Sequence, residues 1–369
     1  MKRAAAAAIS LMTGLAMLTG CSRAEVEETI QPLVADAIEE SDSEAEAVKE
    51  EDESPLILEI DTDIKIHAGS RIAVVSKCVK GEYWKMVKKG MEDAVKEINK
   101  AYGYKKDDQI TMTFEGPDNE EDVETQINTI DAVIAENPDV LCISASDMDS
   151  CEAQLEAAKE NGIPVIAFDS NVAEKKLVKA YRGTDNVQVG KMAAYQLGSA
   201  LGKMGKVAVF SAQQKTKSVQ DRVEGFMNNI GKYGDIEVVE TIYSDQVDDM
   251  EASMKEVLEK YPTLDGVFCT NADITEMYLN LEKSDEHDAP ALVGVDATTK
   301  QQEAIRNGEE IGCVSQQPYA MGYQTIWAAV ETTAPKKSVV IEKNVLSNPA
   351  WIDADCLDDP DYSGYLYTE

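Results

Sequence analysis

Six places in the chain put hydrogen-bonding side chains directly behind short apolar, β-branched runs. They are Ser76-Lys77-Cys78-Val79-Lys80-Gly81-Glu82-Tyr83-Trp84, Ser144-Ala145-Ser146-Asp147, Asp169-Ser170-Asn171, Gln213-Gln214, Asn271-Ala272-Asp273 and Asp296. Asp, Asn, Gln and Ser offer donors and acceptors in fixed pairs, and Tyr83 with Trp84 offers a flat apolar wall. Together these groups suit a polyhydroxylated ring. Taken singly, an Asp or Asn behind a strand serves equally well as a helix cap, and Tyr83-Trp84 could be core packing. The joint pattern is what points to a ligand.

The elements that must position these residues alternate. Apolar spacing predicts strands at 71–76, 109–114, 140–144 and 164–168, with helices at 83–102, 121–136 and 148–161 between them. The rhythm restarts with a helix at 187–201 and a strand at 206–211. Helices at 218–232 and 250–260 and strands at 237–243, 266–270 and 291–295 follow. Strand–helix repetition of this kind gives an α/β fold with parallel sheets covered by helices on both faces. Two such halves place a cleft between them at the carboxyl ends of the strands.

Charge divides the chain further. Its 369 residues carry a net −34, which argues against nucleic acid as a partner. Between Ser22 and Pro55 there are 13 acidic and two basic residues and no aromatic one, the composition of an extended tether. Before it, Met1-Lys2-Arg3 and an apolar run from Ala4 to Leu18 form a signal peptide, too short to span a membrane. That run ends in Leu18-Thr19-Gly20-Cys21, which resembles a bacterial lipobox, with cleavage before Cys21 and diacylglycerol on its thiol.

Other chemistries find little support. The remaining cysteines, Cys78, Cys142, Cys151, Cys269, Cys313 and Cys356, are scattered, two of them inside strand-like runs, and read as buried free thiols. There is no Cys-x-x-Cys, and His67 and His287 have no neighbouring thiol, so no metal site is expected. Neither glycine-rich phosphate motif occurs, and no nucleophile–His arrangement stands out. Asp359-x-Asp361-x-Ser363-Gly364 has the start of a calcium loop without its twelfth-position Glu and reads as a charged tail. The expectation is a protein that is not an enzyme and uses no cofactor.

Phe168-Asp169-Ser170-Asn171, Gly183-Thr184-Asp185-Asn186-Val187, Gln220-Asp221-Arg222-Val223-Glu224-Gly225-Phe226, Val293-Gly294-Val295-Asp296 and Ser315-Gln316-Gln317-Pro318-Tyr319 carry a resemblance. From about Arg71 to Val330 the chain resembles the ribose/galactose-type periplasmic binding proteins, the sugar-binding components of ABC importers. The resemblance implies two Rossmann-like lobes joined by a three-crossover hinge near Thr184, Gln317 and Leu346, the type I architecture. After the signal peptide (1–20) and the lipidated Cys and acidic tether (21–69), it divides the chain into an N-terminal lobe (70–184 with 317–345) and a C-terminal lobe (185–316 with 346–369). Ligand contacts are implied from Ser76, Tyr83, Trp84, Asp169 and Ser170 on the first lobe, from Arg222, Asn271 and Asp296 on the second, and from Gln316 at the hinge. Ser170 stands where ribose binders carry Arg, and Lys80-Gly81-Glu82-Tyr83-Trp84 replaces their Asn-Pro-Phe-Phe run. The implied ligand is therefore a sugar or polyol, whether pentose, hexose or a furanose-like signal such as autoinducer-2.

The implied partners are an ABC permease and its ATPase, with the protein a monomer held at the outer face of the membrane by its lipid alone. The alternative role is a sensory subunit that presents its ligand-bound form to a chemoreceptor or histidine kinase.

Overall fold

The computed structural model describes residues 60–281, 289–335 and 339–368. The signal peptide, Cys21, most of the acidic segment and His287 lie outside the described residues.

The first half alternates β1 (Arg71–Val75), α1 (Glu82–Tyr102), β2 (Thr111–Glu115), α2 (Val123–Ala135), β3 (Val140–Ile143), α3 (Glu152–Glu160), β4 (Val165–Phe168) and β5 (Ala180–Thr184). The second half continues with α4 (Asn186–Ala200), β6 (Met204–Ser211), α5 (Lys217–Ile230), β7 (Asp235–Tyr243), α6 (Met250–Lys260), β8 (Gly266–Cys269) and α7 (Ala272–Leu279). It is completed by β9 (Ala291–Val295), α8 (Thr299–Asn307), β10 (Gly312–Ser315), α9 (Pro318–Thr332), β11 (Asn344–Ser347) and β12 (Ala350–Ile352).

Two six-stranded sheets result, ordered β11-β5-β4-β3-β1-β2 and β12-β10-β9-β8-β6-β7. Every pairing is parallel except that of β12 with β10. Successive strand residues feed opposite faces. Val74 and Cys142 pack beneath α1 and α9 with Met91 and Ile326, while Val75 and Ile143 pack beneath α2 and α3 with Ile130 and Leu155. The second sheet does the same, between α6 and α7 on one face and α4 and α5 on the other. This is the doubly covered α/β architecture that the alternation predicts.

The chain passes between the sheets three times: from β5 into α4, from β10 through Gln316 into α9, and from β11 to β12. The last passage follows Ser347 rather than Leu346, since both residues pair with β5. Close backbone approach fixes the helices that carry site residues. A Cβ on Gly190 of α4 would lie 1.9 Å from the Arg222 carbonyl oxygen, and one on Gly225 of α5 would lie 2.1 Å from that of Val187.

Two expectations need correcting. Strand β5 is not evident in the sequence, because Ala180-Tyr181-Arg182-Gly183-Thr184 carries an Arg at its centre. Arg182 is buried with Nη1 donating to the carbonyls of Tyr181 (3.0 Å) and Glu342 (2.9 Å), so the charge is met within the sheet layer. The tether, expected to run to Gly69, is already docked in the described residues 60–69. Ile66 is buried and Ile60 and Ile64 pack on the first lobe's core. The Tyr102 hydroxyl donates to the Ile64 carbonyl (2.7 Å) and that of Tyr104 to the Ile66 carbonyl (3.2 Å). The polar spacing hides three isoleucines that find a groove beside α1.

Candidate functional site

A cleft of about 680 Å³ lies at the carboxyl ends of the strands of both sheets, within the span of roughly 300–1,000 Å³ usual for small-molecule sites. Of the residues singled out in the sequence, Tyr83, Trp84, Asp169, Arg222, Asn271, Asp296 and Gln316 line it.

Asp169 follows β4 and Asp296 follows β9, and each has a positive φ, +54° and +78°. L-residues adopt that conformation rarely, and short polar side chains tolerate it best. Both backbones stay tied to their sheets, Asp169 N–H to the Arg182 carbonyl (2.9 Å) and Asp296 N–H to that of Val314 (3.0 Å). Each carboxylate is then clamped by three donors from its own lobe. Asp169 Oδ1 accepts from the Tyr83 hydroxyl (2.6 Å), and its Oδ2 from the Ser144 hydroxyl (2.7 Å) and Lys77 Nζ (3.1 Å). Asp296 Oδ1 accepts from Gln316 Nε2 (2.7 Å) and the Tyr367 hydroxyl (2.9 Å), and its Oδ2 from the Ala272 N–H (3.0 Å). A carboxylate has about four acceptor positions. One therefore remains on Asp169 Oδ1 and one on Asp296 Oδ2.

Arg222 is buried, with Nε on Asn186 Oδ1 (2.8 Å) and Nη1 on the Thr270 carbonyl (2.7 Å). Its Nη2 takes no protein partner among the described residues. Asn271 caps α7, its Oδ1 accepting from the Ile274 N–H (3.2 Å), so its cap role and its place on the cleft wall coexist. Trp84 stands edge-on to Tyr83 with ring centres 5.1 Å apart, and its indole N–H donates to Glu120 Oε1 (2.7 Å).

Ser76 and Ser170 do not line the cleft. The Ser76 hydroxyl reaches the carbonyls of Cys78 (2.7 Å) and Glu115 (3.2 Å), and Ser170 Oγ accepts from the Ser218 N–H (3.3 Å). The Ser76 hydroxyl serves loop geometry and that of Ser170 bonds across to the start of α5 on the other lobe, which corrects their assignment as ligand contacts.

Gln213 and Asp273, named in the sequence behind strands, also line the cleft; sequence reasoning missed Glu120, Glu276 and Tyr367 and gave Lys77, quoted behind β1, no role. Lys77 is the most consequential, because its ammonium is buried against Asp169 and lies 3.5 Å from Glu120 and 5.7 Å from the Trp84 ring centre. Burial alone would lower the Lys77 pKa, but Asp169 and then Glu120 outweigh it and raise it. Burial alone would raise that of Asp169, and Lys77, followed by the Tyr83 and Ser144 hydroxyls, brings it below the usual carboxylate value. The pair is a matched, ionised unit. Asp273 behaves differently. Open to the cleft on one side and enclosed by its wall on the other, it is pushed up to about 7, desolvation being the largest cause, followed by the charges of Glu120, Glu276 and Asp296, with Lys77 acting against them.

Contacts between the lobes surround the cleft. Thr299 N–H donates to Glu82 Oε2 (2.7 Å), Gln213 Nε2 to the Glu120 carbonyl (2.9 Å) and the Thr216 hydroxyl to the Ser146 carbonyl (2.6 Å). Ser244 and Glu121 also bond across it. The lobes are shut on one another. The described cysteines, Cys78, Cys142, Cys151, Cys269, Cys313 and Cys356, are free thiols, and no helix among the described residues is long and apolar enough to cross a membrane.

A family model described as a periplasmic binding protein domain matches residues 72–337. The chain is 26% identical over 220 residues to a ribose import binding protein of Bacillus subtilis, covering 60% of this chain and 71% of that one. It is 25% identical over 211 residues to a xylitol-binding protein of Mycolicibacterium smegmatis, covering 57% and 60%. Among solved structures, an ABC transporter solute-binding protein of Agrobacterium vitis with bound D-fucose superposes with a TM-score of 0.72 at 26% identity, covering 81% of this chain and all of that one.

Proposed function

We propose, from the premise that the chain belongs to the periplasmic binding protein family, that it captures a neutral sugar or polyol in the interlobe cleft. It then presents the closed form to an ABC permease. The observation that carries this reading is the pair of clamped carboxylates, Asp169 and Asp296, one on each lobe and each with a single acceptor position left. Hydroxyls of one ring can take both at once. That gives the ligand contacts to both lobes, and only contacts made in the shut state favour that state. Arg222 supplies a donor, and Tyr83 and Trp84 supply the face on which the apolar side of a ring rests. The lining carries nine carboxylates against Lys77, Lys80 and Arg222, which disfavours phosphorylated or carboxylated sugars.

Family membership implies an extracytoplasmic location. The lipid anchor at Cys21, the acidic tether and the monomeric state complete the proposal. Fatty-acid labelling of cells should mark the full chain, and labelling that persists in Cys21→Ser would remove the anchor from it. The binding reading is tested by thermal shift against D-ribose, D-fucose and xylitol, with ribose 5-phosphate as the disfavoured ligand. A ligand at 100 times its dissociation constant adds about 2.7 kcal/mol of stability. Silence across a wide panel of neutral sugars, or a preference for the phosphate, would overturn it.

A further inference from the structure

Tyr367 is almost fully buried, although it belongs to a segment that sequence reading gives no role. After β12 the chain places Leu357 in a small core with Ile305, Cys313 and Ile352 and turns through a short 3₁₀ helix at Pro360–Tyr365. It then runs along two of the three passages between the lobes. The Ser315 hydroxyl, at the passage into α9, donates to the Tyr365 carbonyl (2.5 Å). The Tyr365 hydroxyl donates to the Asn348 carbonyl (3.3 Å), in the passage from β11 to β12. Tyr367 is fixed next, its N–H on the Ala297 carbonyl (3.0 Å) and its own carbonyl accepting from Gln302 Nε2 (2.8 Å).

With its backbone held on both sides, the Tyr367 side chain has one place to go. Its hydroxyl donates to Asp296 Oδ1, and its ring lies 5.8 Å from that of Tyr83, whose hydroxyl holds Asp169. We infer that the segment from Leu357 to Thr368 is a strap over the hinge, and that Tyr367 is a positioning residue. It orients the Asp296 carboxylate toward the ligand and joins that network to Tyr83 and Asp169 on the opposite lobe when the lobes are shut.

The chemistry asks for a tyrosine. Asp296 sits in a left-handed backbone conformation that an Asp holds only when its surroundings fix it. Two side-chain donors, Gln316 and Tyr367, share Oδ1, while the Ala272 N–H holds Oδ2. Removing the phenol oxygen leaves a carboxylate anchored at one side chain and one amide, free to pivot. The Ala272 N–H then loses a steady acceptor.

Because the role assigned to Asp296 rests on the sugar-binding reading, the experiment has one arm that needs no ligand. Amide exchange at Ala272 is read by mass spectrometry at single-residue resolution on the full chain, in the wild type and in Tyr367→Phe. The Thr275 N–H, which bonds the Asn271 carbonyl in the same helix, serves as the internal control. Exchange at Ala272 should rise about tenfold while Thr275 stays as it was. An unchanged Ala272, or equal acceleration at both, overturns the inference. Gln302→Met loosens Tyr367 from its carbonyl side and should give the same selective rise if Tyr367→Phe does not fold.

In the second arm, whichever of D-ribose, D-fucose and xylitol binds the wild type should bind Tyr367→Phe about tenfold more weakly. Equal affinity overturns the positioning role. If none binds the wild type, the sugar reading falls, and the exchange arm still decides whether Tyr367 positions Asp296.

Discussion

Replacing Lys77 by Met tests whether the buried ion pair beneath the cleft is a necessity of the fold. The Nζ of Lys77 lies 3.1 Å from Asp169 Oδ2, with both side chains nearly inaccessible at 6% and 3% exposure. At an effective dielectric of about 20 that separation corresponds to roughly 5 kcal/mol of attraction. Removing one partner of such a pair strands the other charge, at a cost of about 3–5 kcal/mol. The sign with pH follows from Asp169. Its pKa is lowered in the wild-type fold, so its contribution is present above the unfolded value near 3.8 and is lost as pH falls through the depressed folded value. Without Lys77, burial prevails and the carboxyl prefers to be protonated. The penalty of the variant should then be largest near neutrality and shrink on acidification. Urea unfolding at pH 7 and pH 4.5 measures both. Adding Asp169→Asn should recover most of the loss, because no charge is then left unpaired. A loss below about 1 kcal/mol at pH 7, or one that grows toward acid, would refute the reasoning.

Two further outcomes follow from the same structure. Asp273, held near 7 against an ordinary value of 3.8, binds its proton more tightly in the fold than in the unfolded chain, so stability should decline as pH rises from about 4 to 7 and level off above. Melting curves across that range should show a weaker decline for Asp273→Asn, and an identical slope would contradict the crowding of carboxyls at the cleft. Ile66, 8% exposed in the docked stretch before β1, should cost about 2 kcal/mol on truncation to Ala, the low end for such changes. Denaturation that is indifferent to Ile66→Ala would return that stretch to the tether.

Much of the fold was legible because strands such as Val140–Ile143 and Gly266–Cys269 are buried on both faces and read as continuous apolar runs. The exceptions have a common cause. Strand β5 carries a buried Arg with one of its two partners, Glu342, 160 residues away, and Ile60, Ile64 and Ile66 matter only once α1 offers a surface. In the cleft, residues directly behind strands could be named because chain direction alone brings them to one edge. Lys77 was within view yet passed over. The Arg expected beside Asp169 is Ser170 in this sequence, and the cation arrives instead from the end of β1, two strands away in the sheet. Asking what balances Asp169 would have found it. No local signal could have found Tyr367, whose place depends on the course of the strap over the hinge.

The most direct test of the central claim is a calorimetric titration of the full chain with the neutral sugar that gives the largest thermal shift. One site per chain is expected, with no measurable heat for Asp169→Asn, whose amide cannot reproduce both the clamp and the remaining acceptor position. Undiminished binding by that variant, or no heat from any neutral sugar, would contradict the claim.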